Sequence, residues 1–224
     1  GTAEIKDENG VQTLYCINPD CLAKQIKSFT LFVSRDAMNI DGLSEATIEK
    51  LIGKGLIREP ADLFKVENYR KEITEMDGFG EKSFENLKAS VEKARDTTPE
   101  RLLYSLGIPG IGAANARLIA RACGRKWEKM MSLTRDQLLE IDGIGDVMAD
   151  AYVSYFSDPK KRKTADDVVS MVRLDEETEE TENFLQGITF VITGSLQSFP
   201  NRGALREAIE RAGGKVSGSV SAKT

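Results

Sequence analysis

One short pattern occurs four times in this chain, and a stretch with helical periodicity follows each copy. It consists of an apolar residue, one intervening residue, a glycine, another apolar residue and, in three of the four copies, a second glycine. The copies are Ile40-Asp41-Gly42-Leu43-Ser44, Met76-Asp77-Gly78-Phe79-Gly80, Ile108-Pro109-Gly110-Ile111-Gly112 and Ile141-Asp142-Gly143-Ile144-Gly145. Their first glycines are 32 to 36 residues apart. Repetition at such a period indicates a repeated supersecondary unit.

Each unit is predicted to be a helix, a tight glycine turn and a second helix. In the third unit the helices are expected over 100–106 and 113–123, the second ending at Gly124. In the fourth, Thr134 and Gln137 have the spacing of a capping box. The segment Asp96-Thr97-Thr98-Pro99 breaks the array into two pairs of units, which we expect because one helix pair cannot bury its apolar face alone.

The two ends of the chain differ from this repeat region. Residues 1–30 show little helical periodicity. After the basic run over 160–163 an amphipathic stretch continues to Arg173, and the acidic segment 174–182 is predicted to be a solvated linker. Residues 184–224 contain a β-prone run over 187–194, a helical pattern over 201–212 and a second strand from Lys215. A strand–helix–strand order predicts a parallel pair in a small α/β segment. The expected fold class is therefore mainly α, with tandem helix–turn–helix repeats and a short α/β part.

Composition excludes several classes of function. The 224 residues include no histidine, which excludes a Ser-His or Cys-His catalytic pair. Three cysteines are too few for a disulfide framework. No stretch reaches the roughly 20 apolar residues of a membrane span, and the first residues do not resemble a signal peptide. We therefore expect a cytoplasmic protein with no membrane partner.

The net charge of −5 is unevenly distributed along the chain. Residues 174–182 contain six acidic residues and no basic one. Residues 22–165 contain 24 Lys and Arg against 22 Asp and Glu, and residues 99–165 contain 11 against 8. Local charge decides nucleic-acid binding, so the acidic total does not exclude it.

The chemistry that the turns offer is phosphate binding. A glycine-rich turn that opens a helix leaves backbone N–H groups free to hold an anion. A carboxylate at the same helix end competes for those groups and repels phosphate, which favours the third turn first and the second next. The candidate residues for DNA binding are Gly110, Ile111, Gly112, Asn115, Arg117, Gly78, Phe79, Gly80, Lys82 and Ser83. The alternative is that the glycines serve only close packing of helices, and we expect this mainly of the turns at Gly42 and Gly143.

Three further features have a functional and a structural interpretation. Cys16 and Cys21 flank Ile-Asn-Pro-Asp, and thiols at this turn spacing suit a shared zinc ion; they could also be ordinary reduced thiols. The basic run over 160–163 could contact DNA or simply be solvated. Cys123 has helical spacing to Ala120 and is predicted to be a core residue.

The order of these features resembles the C-terminal part of bacterial NAD-dependent DNA ligases. In that family the end of a four-cysteine zinc finger precedes four helix-hairpin-helix motifs and a BRCT domain. The segment over 32–43 is similar to the lead into the first motif, and 190–194 together with 213–216 is similar to the opening of a BRCT domain. The resemblance assigns residues 1–30 to the second half of the zinc finger and 31–165 to the helix-hairpin-helix domain (pairs 31–98 and 99–165). It assigns 166–183 to a linker and 184–224 to the start of the BRCT domain.

The resemblance implies sequence-independent binding of nicked duplex DNA, within an enzyme that seals nicks in replication and repair. That enzyme is expected to act as a monomer, to use NAD and Mg²⁺ bound outside this segment, and to hold a structural Zn²⁺ for which Cys16 and Cys21 are half of the ligands. The family's adenylation motif, Lys-x-Asp-Gly, does not occur in this sequence. No catalytic residue is therefore expected here, and the segment should be inactive alone. The alternative function is a DNA-repair scaffold or a protein-interaction module.

Overall fold

The computed structural model describes residues 3–8, 11–18, 21–176, 185, 187–194, 196, 198–199 and 201–218. The chain divides into two compact units, residues 1–176 and 177–224. The described residues are mainly helical with only short strands, which confirms the expected fold class. Within the described part, no helix is both long and apolar enough to cross a bilayer.

The first unit begins with an antiparallel strand pair and continues with helices. The strands are β1 (Ala3–Glu8) and β2 (Val11–Cys16). The first two hairpins contain α1 (Leu22–Val33), α2 (Glu45–Gly53), a 3-10 helix (Pro60–Tyr69), α3 (Arg70–Thr74) and α4 (Glu81–Ala94). The next two follow the strand β3 (Asp96–Thr97) and contain α5 (Pro99–Ser105), α6 (Ala113–Ala122), α7 (Trp127–Met131), α8 (Arg135–Leu139) and α9 (Asp146–Ser157). The unit ends with α10 (Pro159–Val169) and the strand β4 (Arg173–Leu174).

Local sequence signals place the helix ends as expected. Thr134 and Gln137 form the predicted capping box at the start of α8. The predicted helices over 100–106 and 113–123 are α5 and α6, each within one residue of the expected bounds. Cys123 is buried, as predicted, and Trp127 is also buried in the core.

The interpretation of residues 1–30 as short of helical periodicity holds only as far as Cys21, because α1 runs from Leu22 to Val33. A domain boundary after residue 30 would cut this helix. Ile26, Phe29 and Phe32 lie on its buried face and belong to the same core as the hairpins. Ile26, Phe29 and Val33 have the spacing of one helical face. This apolar pattern extends on both sides of residue 30, where the domain boundary was expected.

A strap formed by residues 171–176 connects the two pairs of hairpins. Its strand β4 pairs in parallel with β3, in the break between the pairs. The Arg173 guanidinium contacts the Asp96 carboxylate at 2.6 and 3.0 Å, and this hydrogen bond lowers the pKa of Asp96. Two residues after the strand, the Glu176 carboxylate accepts a hydrogen bond from the backbone N–H of Trp127 at 2.9 Å. The strap therefore contacts both the break and the second pair.

The prediction of a solvated linker over 174–182 is wrong at its start, and the wider assignment of 166–183 to a linker includes packed residues. Val168 is buried on α10, and residues 171–176 form the strap. The acidic composition suggested solvation, whereas Glu176 accepts a hydrogen bond from a backbone group 49 residues away. Residues 177–183 lie outside the described residues.

The second unit has the predicted strand–helix–strand order. The strand β5 (Thr189–Val191) and the strand β6 (Lys215–Ser217) pair in parallel, and α11 (Arg202–Arg211) lies between them in sequence. The Asn201 side chain accepts from the Ala204 N–H and so caps α11. The described elements of this unit thus match the α/β segment expected from the sequence.

Candidate nucleic-acid interface

The four glycine turns have similar backbone conformations. Their first glycines, 42, 78, 110 and 143, have φ between 79° and 94°, a region that L-residues with a side chain rarely adopt. In turns two, three and four the N–H after the glycine donates to the carbonyl three residues before it, at 2.9–3.0 Å. This is the hydrogen bond of a β-turn with glycine in its third position. The glycines are therefore required by the turn itself, whatever the turn binds.

The helices that follow the turns begin in two different ways. Helix α2 is capped by its own Ser44, whose hydroxyl accepts from the Thr47 N–H. Helices α4, α6 and α9 have glycine at the N-cap, so no capping oxygen is available from that residue. Because the first N–H groups of a helix have no acceptor within it, these three helix ends can receive an external anion. The departure of Ser44 from the pattern thus has a structural consequence.

The third turn has no acidic residue at its helix end. Gly110 and Gly112 are exposed and Ile111 is buried beneath them. The Asn115 amide donates to the Gly110 carbonyl at 3.0 Å, which fixes the turn against the first turn of α6. Arg117 is half-buried on α6. The candidates of the third turn therefore lie on the turn itself and on the first five residues of α6, and Asn115 is hydrogen-bonded to the turn.

The second turn carries the remaining candidates. Phe79 is buried under the turn, Gly78 and Gly80 are exposed, and Ser83 is half-buried. Lys82 is exposed at the second position of α4. An exposed cationic residue therefore lies in the first turn of a helix whose N-cap offers no capping oxygen.

Each glycine turn also packs on the other hairpin of its pair. A Cβ atom added at Gly110 would lie 3.0 Å from Met148 Cγ on α9, and one added at Gly143 would lie 3.4 Å from Leu118 Cδ1 on α6. In the first pair, Lys50 Nζ on α2 donates to the Asp77 carbonyl at 2.9 Å. The contacts of the second pair are thus reciprocal, and in both pairs a turn is held against a helix of the other hairpin.

An arginine joins two carboxylates in the second hairpin of each pair. Arg70 contacts Glu81 at 2.8 Å and Glu85 at 2.5 Å, and we call these three residues the Arg70 clamp. Arg135 contacts Asp146, and it contacts Asp150 at 2.7 Å. We call these the Arg135 clamp.

The two clamps occupy identical positions in the repeat. In each, the arginine is the first residue of the helix before the turn, and the acids follow it by 11 and 15 residues. The hydrogen bonds that Arg70 donates to Glu85 and Glu81 raise its pKa, and those that Arg135 donates to Asp150 and Asp146 raise the pKa of Arg135. Sequence reasoning missed these pairs, although aligning the repeats on their glycines would have shown them.

The same positions carry different charges in the four hairpins. In the third hairpin they hold Leu102, Ala113 and Arg117, a formal charge of +1. In the second and fourth hairpins one arginine and two acids give −1. In the first they hold Ser34, Glu45 and Glu49, which give −2. Formal charge at these equivalent positions is thus most favourable to phosphate at the third turn and least favourable at the first.

Cys16 and Cys21 come together at the junction of β2 and α1. Both are half-buried, and the Lys24 N–H and the Cys16 thiol, in that order, lower the pKa of the Cys21 thiol. A lowered thiol pKa favours the thiolate, which is the form that binds zinc. Among the described residues, no group of three or more His, Cys, Asp or Glu could hold a metal. Two adjacent thiols are thus available, and their binding of zinc stays a prediction.

The basic run over 160–163 lies on α10 and is partly paired. Lys163 contacts Asp167 at 2.5 Å, Arg162 contacts Asp166 at 3.8 Å, and Lys161 lies 5.5 Å from the centre of the Tyr155 ring. Such contacts within or next to the same helix are typical of a solvated helix face. Binding of DNA by this run stays a prediction.

Known protein families match this chain in three segments. A SAM-like helix-hairpin-helix tandem matches residues 34–93, and a helix-hairpin-helix motif family matches residues 101–165. The BRCA1 C terminus (BRCT) domain family matches residues 180–224. The first two matches contain the four glycine turns and both arginine clamps.

Curated relatives match the chain along its length. A DNA ligase of Ruminiclostridium cellulolyticum is 54% identical over 100% of this chain and 34% of its own length. A DNA ligase of Lachnoclostridium phytofermentans is 53% identical over 100% of the chain, and one of Bacillus licheniformis is 39% identical over 99%. The chain spans about a third of the length of these relatives. Together with the helix-hairpin-helix and BRCT matches, they fit a C-terminal fragment of a DNA ligase.

Proposed function

We propose that this chain, which fits the C-terminal part of a DNA ligase, grips duplex DNA through the phosphates that flank a nick. The observation that carries the proposal is the set of three open helix ends, at α4, α6 and α9, inside the segments matched by helix-hairpin-helix families. Backbone N–H groups bind phosphate oxygens and do not read base edges. Binding is therefore sequence-independent, as an enzyme that seals any nick requires.

The third turn is the strongest phosphate site in this proposal. Its helix end carries no carboxylate, and Arg117 occupies the position where the second and fourth hairpins have an acid. The second turn comes next, because Lys82 adds a positive charge that partly offsets Glu81 and Glu85. The first turn contributes least, since Ser44 already caps its helix.

Catalysis in this proposal takes place outside the segment. The complete enzyme would use NAD to adenylate a lysine, transfer the adenylyl group to the 5′-phosphate of the nick and close the bond with the 3′-hydroxyl. Zinc, bound by Cys16, Cys21 and two further thiols, would supply a structural crosslink. The role of the residues described above is to hold the duplex in place. We place the enzyme in the cytoplasm, where bacterial DNA is replicated and repaired.

Charge reversal at the two best turns tests this function. We expect the double variant Lys82→Glu and Arg117→Glu to lower affinity for a labelled nicked duplex by about tenfold or more, and to reduce the slope of log K against log salt by about 1.8. Fluorescence anisotropy over a salt series measures both quantities. Lys65→Met, which removes an exposed charge from the 3-10 helix, is the control.

The same titration separates the competing functions. Unchanged affinity in the double variant would refute phosphate binding at these turns. If the folded, unmodified chain does not bind duplex DNA, a protein-interaction module becomes the better explanation. Equal affinity for duplexes of unrelated sequence is expected, and a strong preference for one sequence would contradict contact through the backbone.

A further inference from the structure

The two arginine clamps show how the second and fourth hairpins can approach DNA although acids stand at their helix ends. Glu81 and Asp146 are the first residues of α4 and α9, where a carboxylate favours the helix and repels phosphate. Glu85 and Asp150 lie one turn further along the same faces. Without a counter-charge, each helix end would present two negative charges to a phosphate.

We propose that Arg70 and Arg135 are positioning residues that screen these carboxylates and hold them away from the open N–H groups of the turn. This inference rests on the proposed DNA binding and adds a role for residues that do not themselves touch the phosphate. Each guanidinium is committed to two carboxylates at hydrogen-bond distance. Such a group is a poor donor to a further ligand, because its charge is already balanced by two acids.

The surroundings of each arginine support screening. Arg70 also lies 3.7 Å from Glu67 and 5.0 Å from the centre of the Phe84 ring, and Lys88 contacts Glu67 at 2.9 Å. It is thus held from several sides. Arg135 contacts Asp146 and Asp150 across the turn, which makes it the simpler of the two to test.

The internal repeat strengthens the argument. Arg70 and Arg135 stand 11 residues before the first acid and 15 before the second. The two hairpins also share an acid three residues before the first glycine and an aspartate directly before it. The third hairpin, which has Ala113 in place of the first acid, has Leu102 in place of the arginine. In the second, third and fourth hairpins the arginine and the acid at the helix end are therefore present or absent together. The first hairpin has Glu45 and Glu49 without an arginine, and its helix end is already capped by Ser44.

A rescue experiment tests the role of Arg135. We expect Arg135→Met to weaken binding to a labelled nicked duplex by about threefold to tenfold, since two unscreened carboxylates now repel nearby phosphates. Adding Asp146→Asn and Asp150→Asn to that variant should restore the affinity to at least that of the unmodified chain. The slope of log K against log salt should stay within about 0.3 of its original value. Each phosphate contact contributes about 0.9 to that slope, and no such contact is lost in these variants.

The outcomes separate this inference from the function on which it rests. A direct phosphate contact by Arg135 predicts that the triple variant stays weak and that the slope falls by about 0.9, which would overturn screening. Unchanged binding by Arg135→Met would overturn it as well. Failure of the unmodified, folded chain to bind duplex would refute the proposed function and this inference with it. Circular dichroism melts of every variant exclude unfolding as the cause.

Arg70→Met with Glu81→Gln and Glu85→Gln repeats the test in the first pair. The same loss and the same rescue are expected, with Glu67 still present beside the arginine position. Rescue in the fourth hairpin without rescue in the second would limit the inference to Arg135. Lys65→Met again serves as a control, because it removes a cation outside both clamps.

Discussion

The third and the fourth hairpins share a backbone turn and differ in the charge that surrounds it. Gly110 and Gly143 both have positive φ, and the isoleucine after each is buried. The third helix end has Ala113, while the fourth has Asp146 held by Arg135. The comparison teaches that the turn fixes the shape of a phosphate site, whereas a few side chains around it decide how strongly it attracts an anion.

The largest loss of folding stability should be similar in the two hairpins. Ile111→Ala and Ile144→Ala each remove a side chain that is buried under the turn, and we expect each to lower the free energy of unfolding by about 2–5 kcal/mol. Urea unfolding followed by circular dichroism measures the loss. A cost below about 1 kcal/mol in only one of them would break the structural equivalence of the two turns.

Replacing the turn glycines by alanine should cause a smaller loss of stability, and its size should depend on how closely each glycine is packed. Gly110→Ala places a side chain at positive φ, at a cost of about 1–2 kcal/mol, and brings its Cβ atom to 3.0 Å from Met148 Cγ. Gly143→Ala meets Leu118 at 3.4 Å, and Gly78→Ala meets nothing within 4 Å. Thermal unfolding should rank Gly110→Ala as the most destabilising of the three. Equal losses would mean that Met148 moves aside without cost.

The smallest change in stability should accompany a change in affinity of the opposite sign. Ala113→Asp gives the third hairpin the acid of the fourth, without its arginine. We expect the helix to gain about 0.3–1 kcal/mol and the affinity for nicked duplex to fall several-fold. Ala113→Asn is the uncharged control in both the urea and the anisotropy measurements. Tighter binding by the aspartate variant would show that helix-end charge does not govern this site.

Much of the fold could be predicted because its signals are local. A glycine between two apolar residues marks each turn, and Thr134 with Gln137 marks a helix start, within a few residues of sequence. The order of β5, α11 and β6 follows from one β-prone run and one helical pattern. Interactions of this range need no knowledge of the tertiary structure.

The features that escaped prediction depend on partners far away in sequence. Arg173 pairs with Asp96 across 77 residues, and Glu176 pairs with the Trp127 N–H across 49. Composition indicated a solvated linker for the segment that contains Glu176. The arginine clamps span 11 and 15 residues, a distance at which only alignment of the repeats could connect them. The glycine turns of the candidate site could thus be predicted from the sequence, whereas the pairing of Arg70 and Arg135 with the carboxylates at the helix ends could not.

The strap also affects the order in which the unit can be completed during synthesis. Arg95 donates to the Phe64 carbonyl at 2.8 Å within the first pair and to the Met171 carbonyl at 2.7 Å within the strap. The ribosome makes the second pair between those two partners, so the first pair emerges with one acceptor of Arg95 still missing. Contacts that close so long a loop form late, because its entropy must be lost first. The strap therefore completes the array last, and it adds to direct contacts between the two pairs, such as the hydrogen bond that Arg101 donates to the Arg35 carbonyl at 2.6 Å.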